Sequence, residues 1–162
     1  MSNNASSCCR DEIRELMARY ADAIHRVDGE DWAQCWHPDA HWIISSLDSP
    51  PNQEELTGQQ SIKQFWLTAM EHFKFVEHKV SSHSISPQME QNRASGRCYV
   101  NESFEYLGNR FDLFGVYNDV YIKGENGWLF LTRKFNLLRV DEAGKPTVRY
   151  CHPNRTENPY HA

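Results

Sequence analysis

The first part of the chain carries apolar residues at helical spacing, which predicts a long helix from about residue 9 to residue 27. The residues of its buried face recur every three or four positions: Ile13, Leu16, Met17, Tyr20, Ile24 and Val27. We expect the helix to end at Asp28 and Gly29, because glycine is the usual helix terminator. The pattern also predicts a short second helix over 31–36 and a third helix over 58–73.

After the third helix the apolar positions alternate, which is the spacing of strands that bury one face. Four long strands are predicted, with turn-forming residues between them: 75–86, 93–106, 111–123 and 127–140. We expect a short strand at 41–45, a loop covering a pocket at 46–57 and a polar tail at 141–162. Three helices followed by a meander of strands predict an α+β fold, in which helices pack on one face of an antiparallel sheet.

Length and charge exclude several classes of protein. The 162 residues favour one domain. With 17 Lys and Arg against 22 Asp and Glu, the chain has no excess of basic residues for binding nucleic acid. The opening residues lack the apolar segment of a signal peptide, and no apolar run is long enough to span a membrane. Five cysteines without metal-site spacing indicate reduced thiols, so we expect a soluble, cytoplasmic protein.

Aromatic residues are the part of the composition that indicates function. Phe, Trp and Tyr make up 12% of the chain, including five tryptophans. Their rings supply rigid apolar surface of the kind that lines ligand pockets. The sequence therefore predicts a pocket for a small, largely apolar or aromatic molecule.

One histidine in a predicted strand is a candidate for chemistry. His78 shares strand parity with Val76 and Val80, so we expect it to face the buried side of the sheet. A buried imidazole needs a polar partner, because leaving it unpaired is costly. Asp28, just after the first helix, is a candidate carboxylate. It could also serve only as the N-cap of the second helix, three residues before Asp31.

Several motifs resemble one known family. Residues 20–39 read YADAIHRVDGEDWAQCWHPD, and later stretches read GRCYV at 96–100, GVYND at 115–119 and GWLF at 127–130. Their order and spacing resemble SnoaL-like proteins of the nuclear-transport-factor-2-like superfamily over about residues 10–140. This resemblance implies a cone-shaped α+β fold. The most similar branch contains scytalone dehydratase, bile acid 7α-dehydratase and hexachlorocyclohexane dehydrochlorinase.

The resemblance implies a catalytic dyad of Asp28 and His78 inside the cone, joined by a hydrogen bond. The dehydratases also place a tyrosine or lysine near the position of Ala23, which this chain lacks. Side chains that could bind substrate in its place are Tyr20, Tyr99, Tyr117, Asn101, Glu102 and Arg133. The last of these matches an arginine used in the dehydrochlorinase. We expect no metal and no cofactor, because the histidines lack the spacing of a zinc site.

The function implied is that of a small-molecule lyase or isomerase, with loss of water the leading reaction. Structural roles are also open: His78 as a core histidine, Tyr20 as a core residue and Arg133 as a structural ion-pair partner. Two other functions remain open, the structural small subunit of a ring-hydroxylating dioxygenase and a non-catalytic ligand-binding module. We also expect a homodimer or homotrimer, because such sheets leave one broad face uncovered.

Overall fold

A computed structural model describes residues 2–47, 52–88 and 91–150. Three helices and seven strands are found in these ranges: α1 (Ser2–Arg26), α2 (Gly29–Ala33), β1 (Trp36–Ser45), β2 (Gln53–Thr57), α3 (Gln59–Met70), β3 (Phe73–Gln88), β4 (Arg93–Tyr106), β5 (Asn109–Gly124), β6 (Gly127–Glu142) and β7 (Val148–Arg149). The strands form one curved sheet in the order β2-β1-β6-β5-β4-β3, and β7 pairs with the end of β6. The helices pack against this sheet, which confirms the α+β prediction.

The sheet is antiparallel except where β1 lies parallel to β6. The strand β1 is longer than predicted and starts at Trp36, which pairs with Phe130. Its register against β6 shifts between Trp36 and His41. Pro38 lies in this irregular stretch, where a residue without a backbone N–H is tolerated. His37 and Pro38, which directly follow the predicted second helix, therefore lie inside a strand.

Two regions predicted to lack regular structure contain strands. The predicted loop at 46–57 contains β2, whose residues pair with 41–45 of β1, and its residues 48–51 lie outside the described ranges. The predicted tail contains β7, and its residues 151–162 also lie outside them. Both strands are short and polar, so their sequences do not alternate clearly between apolar and polar residues.

The first helix ends one residue earlier than the glycine suggested. Val27 has a φ of 52°, its N–H donates to the carbonyl of Ile24 at 3.0 Å, and the N–H of Asp28 donates to the carbonyl of Ala23 at 2.9 Å. This is the hydrogen-bond pattern of a glycine-terminated helix, with valine in the glycine position. A left-handed conformation costs a β-branched residue roughly 1–2 kcal/mol. Val27, predicted to be buried, is instead 45% exposed.

The core confirms the rest of the predicted apolar face of α1. The other five residues of that face are each less than 5% exposed: Ile13, Leu16, Met17, Tyr20 and Ile24. They pack against the sheet together with aromatic residues of α2 and β1. Register shifts in β3, between Val80 and His83, and in β5, before Gly115, mark irregularities that bend the strands around this core.

Gly115 allows a close approach that shapes the interior. A Cβ atom at this position would lie 2.2 Å from the ring of Phe135 on β6. Glycine therefore lets the Phe135 ring lie directly over the β5 backbone. This places the ring in the space that the helices and the sheet enclose.

The described cysteines form no disulfide: Cys8, Cys9, Cys35 and Cys98 are free thiols. Burial raises the pKa of Cys98 to about 12, so this thiol stays protonated at neutral pH. Within the ranges that the structure covers, no helix is long and apolar enough to cross a bilayer.

Candidate active site

A cavity of about 180 Å³ lies between the helices and the sheet. Most of its lining is apolar, with contributions from α1, α3 and five strands: Ile24, Trp42, Ile44, Leu47, Phe65, Trp66, Ala69, Met70, Phe73, Val76, Phe104, Leu113 and Phe135. Polar side chains are fewer: Tyr20, Tyr117, Glu102, Ser45 and Ser46. An apolar cavity with a few polar groups is the usual form of a small-molecule site.

His78 lies next to this cavity and is paired with a carboxylate. It is only 2% exposed, which confirms the burial predicted from strand parity. Its Nδ1 forms a short hydrogen bond with Oε1 of Glu102, the residue directly opposite on β4. Its ring lies 5.7 Å from that of Tyr20 and 6.1 Å from that of Tyr117, measured between centroids. His78 thus contacts three residues that line the cavity.

The second ring nitrogen of His78 has unused hydrogen-bonding capacity. Nε2 is buried and has no hydrogen-bond partner within the described ranges. With a carboxylate on Nδ1, the favoured tautomer carries its proton on Nδ1 and leaves Nε2 as an acceptor. Buried polar atoms are rarely left unpaired, and such atoms often mark functional sites. The arrangement can therefore accept a proton at Nε2.

The predicted hydrogen bond between Asp28 and His78 is absent. Asp28 caps α2 by accepting from the N–H of Asp31 at 3.0 Å, and its other oxygen accepts from Arg26 at 2.7 Å. These two donors, the Asp31 N–H first, hold the pKa of Asp28 below its ordinary value. The early helix end at Val27 leads Asp28 into this cap, so the alternative N-cap interpretation describes its contacts.

Tyr20 and Tyr117 enclose the guanidinium of Arg133. Its central carbon lies 4.3 Å from the centroid of the Tyr20 ring and 3.6 Å from that of Tyr117. The ring of Phe130 covers it as well, also at 4.3 Å. Burial raises the pKa of Tyr20 to about 12 and raises that of Tyr117 well above its ordinary value. Both phenols therefore stay protonated at neutral pH and can donate hydrogen bonds.

Arg133 is fully buried beside a carboxylate that sequence analysis did not single out. Its Nε lies 3.5 Å from Oδ1 of Asp119, and both side chains are 0% exposed. Oδ2 of Asp119 accepts from the Tyr121 hydroxyl at 2.8 Å, and that hydroxyl lies 3.0 Å from Nε2 of His83. Arg133 is therefore part of a buried ion pair, as its structural interpretation expected, and it also stacks on two cavity residues.

The buried network should make stability depend on pH through two opposing groups. Burial first, and then Arg133 and Arg14, lower the pKa of His83 to about 4. Burial also raises the pKa of Asp119 to about 6. As pH falls from 6.5 toward 4, the unfolded chain takes up a proton at His83 that the folded chain does not, so stability falls. Asp119 has the opposite effect between its folded and unfolded values.

We expect His83→Gln to remove the loss of stability that His83 causes at acid pH. Glutamine does not titrate, and its amide N–H can still donate to the Tyr121 hydroxyl. The variant should lose less free energy of unfolding than the native chain between about pH 7 and about pH 4.5, since histidine titrates in this range. Urea unfolding at several pH values measures this. Equal losses of the free energy of unfolding in the two proteins would contradict this role of His83.

Besides Asp28, two other candidate residues lie away from the cavity. Tyr99 is on the face of β4 opposite Glu102, because adjacent strand residues alternate and Val100 faces the core. Its ring stacks on Phe114 at 5.6 Å, and its hydroxyl accepts from Arg97. Asn101 shares that face and is exposed. Strand alternation therefore turns both side chains away from this cavity.

Other residues of the site had no signal in the sequence. Trp42 lines the cavity, and its Nε1 is a buried donor without an acceptor in the described part of the chain. His25 accepts a hydrogen bond from the backbone N–H of His78 at 2.9 Å. Asp119 could have been found only if the pairing of β5 with β6 were known, because this pairing places it opposite Arg133. No group of three or more potential metal ligands is present among the described residues.

Comparison with known families identifies the chain. A model of the SnoaL-like domain matches residues 5–134. The chain belongs to the SnoaL-like domain family. This confirms the family resemblance that the motifs indicated. Among curated proteins, none matches the sequence significantly.

Solved structures share the fold of this SnoaL-like chain at low sequence identity. A provisionally assigned scytalone dehydratase from Novosphingobium aromaticivorans DSM 12444 is 20% identical, with a TM-score of 0.73, covering 100% of this chain and 99% of its own. Hexachlorocyclohexane dehydrochlorinase LinA-type3 from Novosphingobium barchaimii LL02 is 13% identical, with a TM-score of 0.74, covering 93% and 99%. A provisionally assigned aromatic ring hydroxylase from Novosphingobium aromaticivorans is 20% identical, with a TM-score of 0.71, covering 88% and 93%. Similarity at this level establishes the fold.

Proposed function

We propose that this SnoaL-like chain is a cofactor-independent lyase or isomerase that removes a proton from a small apolar or aromatic substrate. The observation that carries the proposal is the different surroundings of the two ring nitrogens of His78. Its Nδ1 is held by Glu102, and its buried Nε2 has no partner in the described ranges. A histidine held in this way beside an apolar cavity is suited to act as a general base.

His78 is the proposed base and Glu102 the residue that orients it. The substrate would occupy the cavity that Tyr20 and Tyr117 line, so that a C–H bond next to an activating group faces Nε2. Nε2 takes the proton, and the carboxylate of Glu102 stabilises the imidazolium that forms. In a dehydration, the carbon–carbon double bond forms as the carbon–oxygen bond breaks. The imidazolium then returns its proton to the departing hydroxide, so water leaves and His78 regains its starting state.

Tyr20, Tyr117 and Arg133 are the proposed stabilisers of negative charge on oxygen. The two phenols remain protonated because burial raises the pKa of each. The guanidinium lies over the faces of both rings, which places a fixed positive charge next to the two phenols. Donors and charges aimed at a developing oxyanion lower the barrier of such reactions.

The names of two fold neighbours agree with an elimination reaction. One is a provisionally assigned scytalone dehydratase and the other is a hexachlorocyclohexane dehydrochlorinase. Loss of water and loss of hydrogen chloride both require a base for a C–H proton and a pocket that holds the leaving group. Loss of water is the reaction we favour, and double-bond migration uses the same base. We also propose that the protein acts in the cytoplasm as a homodimer or homotrimer.

A simple carbon acid tests the proposed base without knowledge of the natural substrate. The probe is 5-nitrobenzisoxazole: a base removes its C3 proton, the nitrogen–oxygen bond breaks, and a coloured cyanophenolate forms. We expect the native protein to accelerate this reaction and His78→Gln to lose about a hundredfold of that rate, as general bases typically contribute. His72→Gln is the matched control, because this histidine is exposed and its ring contacts only Tyr106 among the described aromatic residues.

Two outcomes would overturn the proposal. One is a native rate no higher than that of buffer with the same imidazole concentration. The other is an equal rate for the native protein and His78→Gln. Circular dichroism of each variant checks that the fold is retained.

A further inference from the structure

The edge of the sheet next to the proposed base is closed by a second histidine. His25, in the last turn of α1, accepts a hydrogen bond at Nε2 from the backbone N–H of His78, with an N–N distance of 2.9 Å. The His25 side chain is exposed, and it lines a surface groove with Val76 and Glu77 of β3. This contact joins the end of α1 to β3 at the residue that carries the proposed base.

Strand pairing explains why the His78 N–H needs such a partner. The strand β3 is at the edge of the sheet and pairs only with β4 within the described ranges. His78 lies opposite Glu102, and its N–H points away from β4 toward His25. It therefore belongs to a non-hydrogen-bonded pair, whose side chains lie closest together. The same geometry brings the imidazole to Glu102 and turns the N–H to the open edge.

The chemistry of this bond determines the protonation state of His25. A backbone N–H can only donate, so Nε2 of His25 must be unprotonated and its proton must be on Nδ1. If His25 takes up a second proton, both ring nitrogens become donors and the bond to the His78 N–H is lost. The contact is therefore made only by neutral His25.

Several charged residues are close to His25 in sequence or line the same groove. In and just after α1 these are Asp22, Arg26 and Asp28, which are joined by ion pairs through Arg26. On β3, Lys74 and Glu77 line the same groove. The end of α3 contributes the apolar Met70 to this groove and no charge. The groove thus carries charges of both signs, and the acceptor from the His78 N–H is His25.

We propose that His25 is a positioning residue whose neutral form holds the His78 backbone, and with it the His78–Glu102 pair, in the geometry that accepts a proton. Loss of the acceptor nitrogen of His25 releases this part of the β3 edge. The part that concerns catalysis rests on the proposed function. The structural part stands independently of it.

Hydrogen exchange tests the structural part without any substrate. The protection factor of the His78 amide is measured by NMR in the native protein, His25→Gln and His25→Phe. At one neutral pH, His25→Phe should be about fivefold to tenfold less protected at this amide than the native protein, the effect of one ordinary hydrogen bond lost. Glutamine places an acceptor oxygen near the position of Nε2, so His25→Gln should keep the native protection.

Turnover of 5-nitrobenzisoxazole tests the catalytic part. His25→Phe should lower kcat about fivefold to tenfold with little change in KM, the effect expected when one hydrogen bond that positions the base is lost. His25→Gln should restore most of this loss. His72→Gln, the exposed control, should behave as the native protein.

The outcomes separate this inference from the proposed function. A His78 amide that is equally protected in the native protein and in His25→Phe would overturn the proposed role of His25. The expected exchange results together with an unchanged kcat in His25→Phe would overturn its positioning role. The role of His78 itself is decided separately, by the His78→Gln result.

Discussion

Replacing Glu102 by Gln should lower kcat for 5-nitrobenzisoxazole about a hundredfold or more, because the His78 base loses the charge that stabilises its imidazolium. The amide of glutamine can also donate to Nδ1 of His78, which favours the tautomer with its proton on Nε2. That tautomer cannot accept a proton from the substrate. Because the effect arises after binding, KM should change much less than kcat. Steady-state kinetics at neutral pH measures both parameters.

Asp28→Asn is the matched control for Glu102→Gln. Both changes replace a carboxylate by its amide, and Asp28 is the carboxylate that the family resemblance assigned to the dyad. Asparagine is as good an N-cap as aspartate, so α2 should keep its start. We expect kcat within about twofold of the native value, since neither of the observed Asp28 contacts reaches His78. If Asp28→Asn is the variant with the large loss and Glu102→Gln is nearly native, the dyad implied by the family is correct.

The second large effect is expected from the buried ion pair. Asp119→Asn should lower the free energy of unfolding by about 3–5 kcal/mol at neutral pH, the usual cost of leaving one buried charge without its partner. Arginine cannot lose its proton in a protein, so Arg133 remains charged in this variant. Its contacts with three aromatic rings persist, but they do not replace a carboxylate at 3.5 Å. Urea unfolding measures the loss.

Removing the other partner should cost less. In Arg133→Met the remaining carboxyl of Asp119 can become neutral by binding a proton, because burial already raises its pKa to about 6. Methionine also fills the space among the aromatic rings. The double variant, with Asp119→Leu and Arg133→Met, should be more stable than Asp119→Asn, since no buried charge remains. A larger loss in Arg133→Met than in Asp119→Asn would contradict this explanation.

Burial of the main helix and of the proposed base could be predicted from residue spacing alone. Helical periodicity in α1 placed Tyr20 in the core, and strand alternation placed His78 there. These predictions were confirmed because a helix or strand with one apolar face has one way to bury it. The same reasoning failed for Val27, where the chain takes a left-handed conformation that valine rarely adopts. The local sequence predicted a helix end close to this point but placed it at the glycine, not at the valine.

The partners within the site were determined by strand register and by the bending of strands. Whether His78 meets Glu102 or another residue of β4 depends on the pairing of two strands separated by a turn, and a shift of one residue would turn Glu102 to the outer face. The contact of His25 with the β3 edge likewise depends on how α1 crosses the sheet.

The sequence by itself determined the α+β class, the apolar faces and the presence of a histidine facing inward. Only the tertiary structure decided that its carboxylate partner is Glu102, that Asp28 caps α2, and that Tyr99 faces outward. The physical reason is that burial follows from local periodicity, whereas hydrogen bonds between distant side chains require particular atoms to meet within about 3 Å.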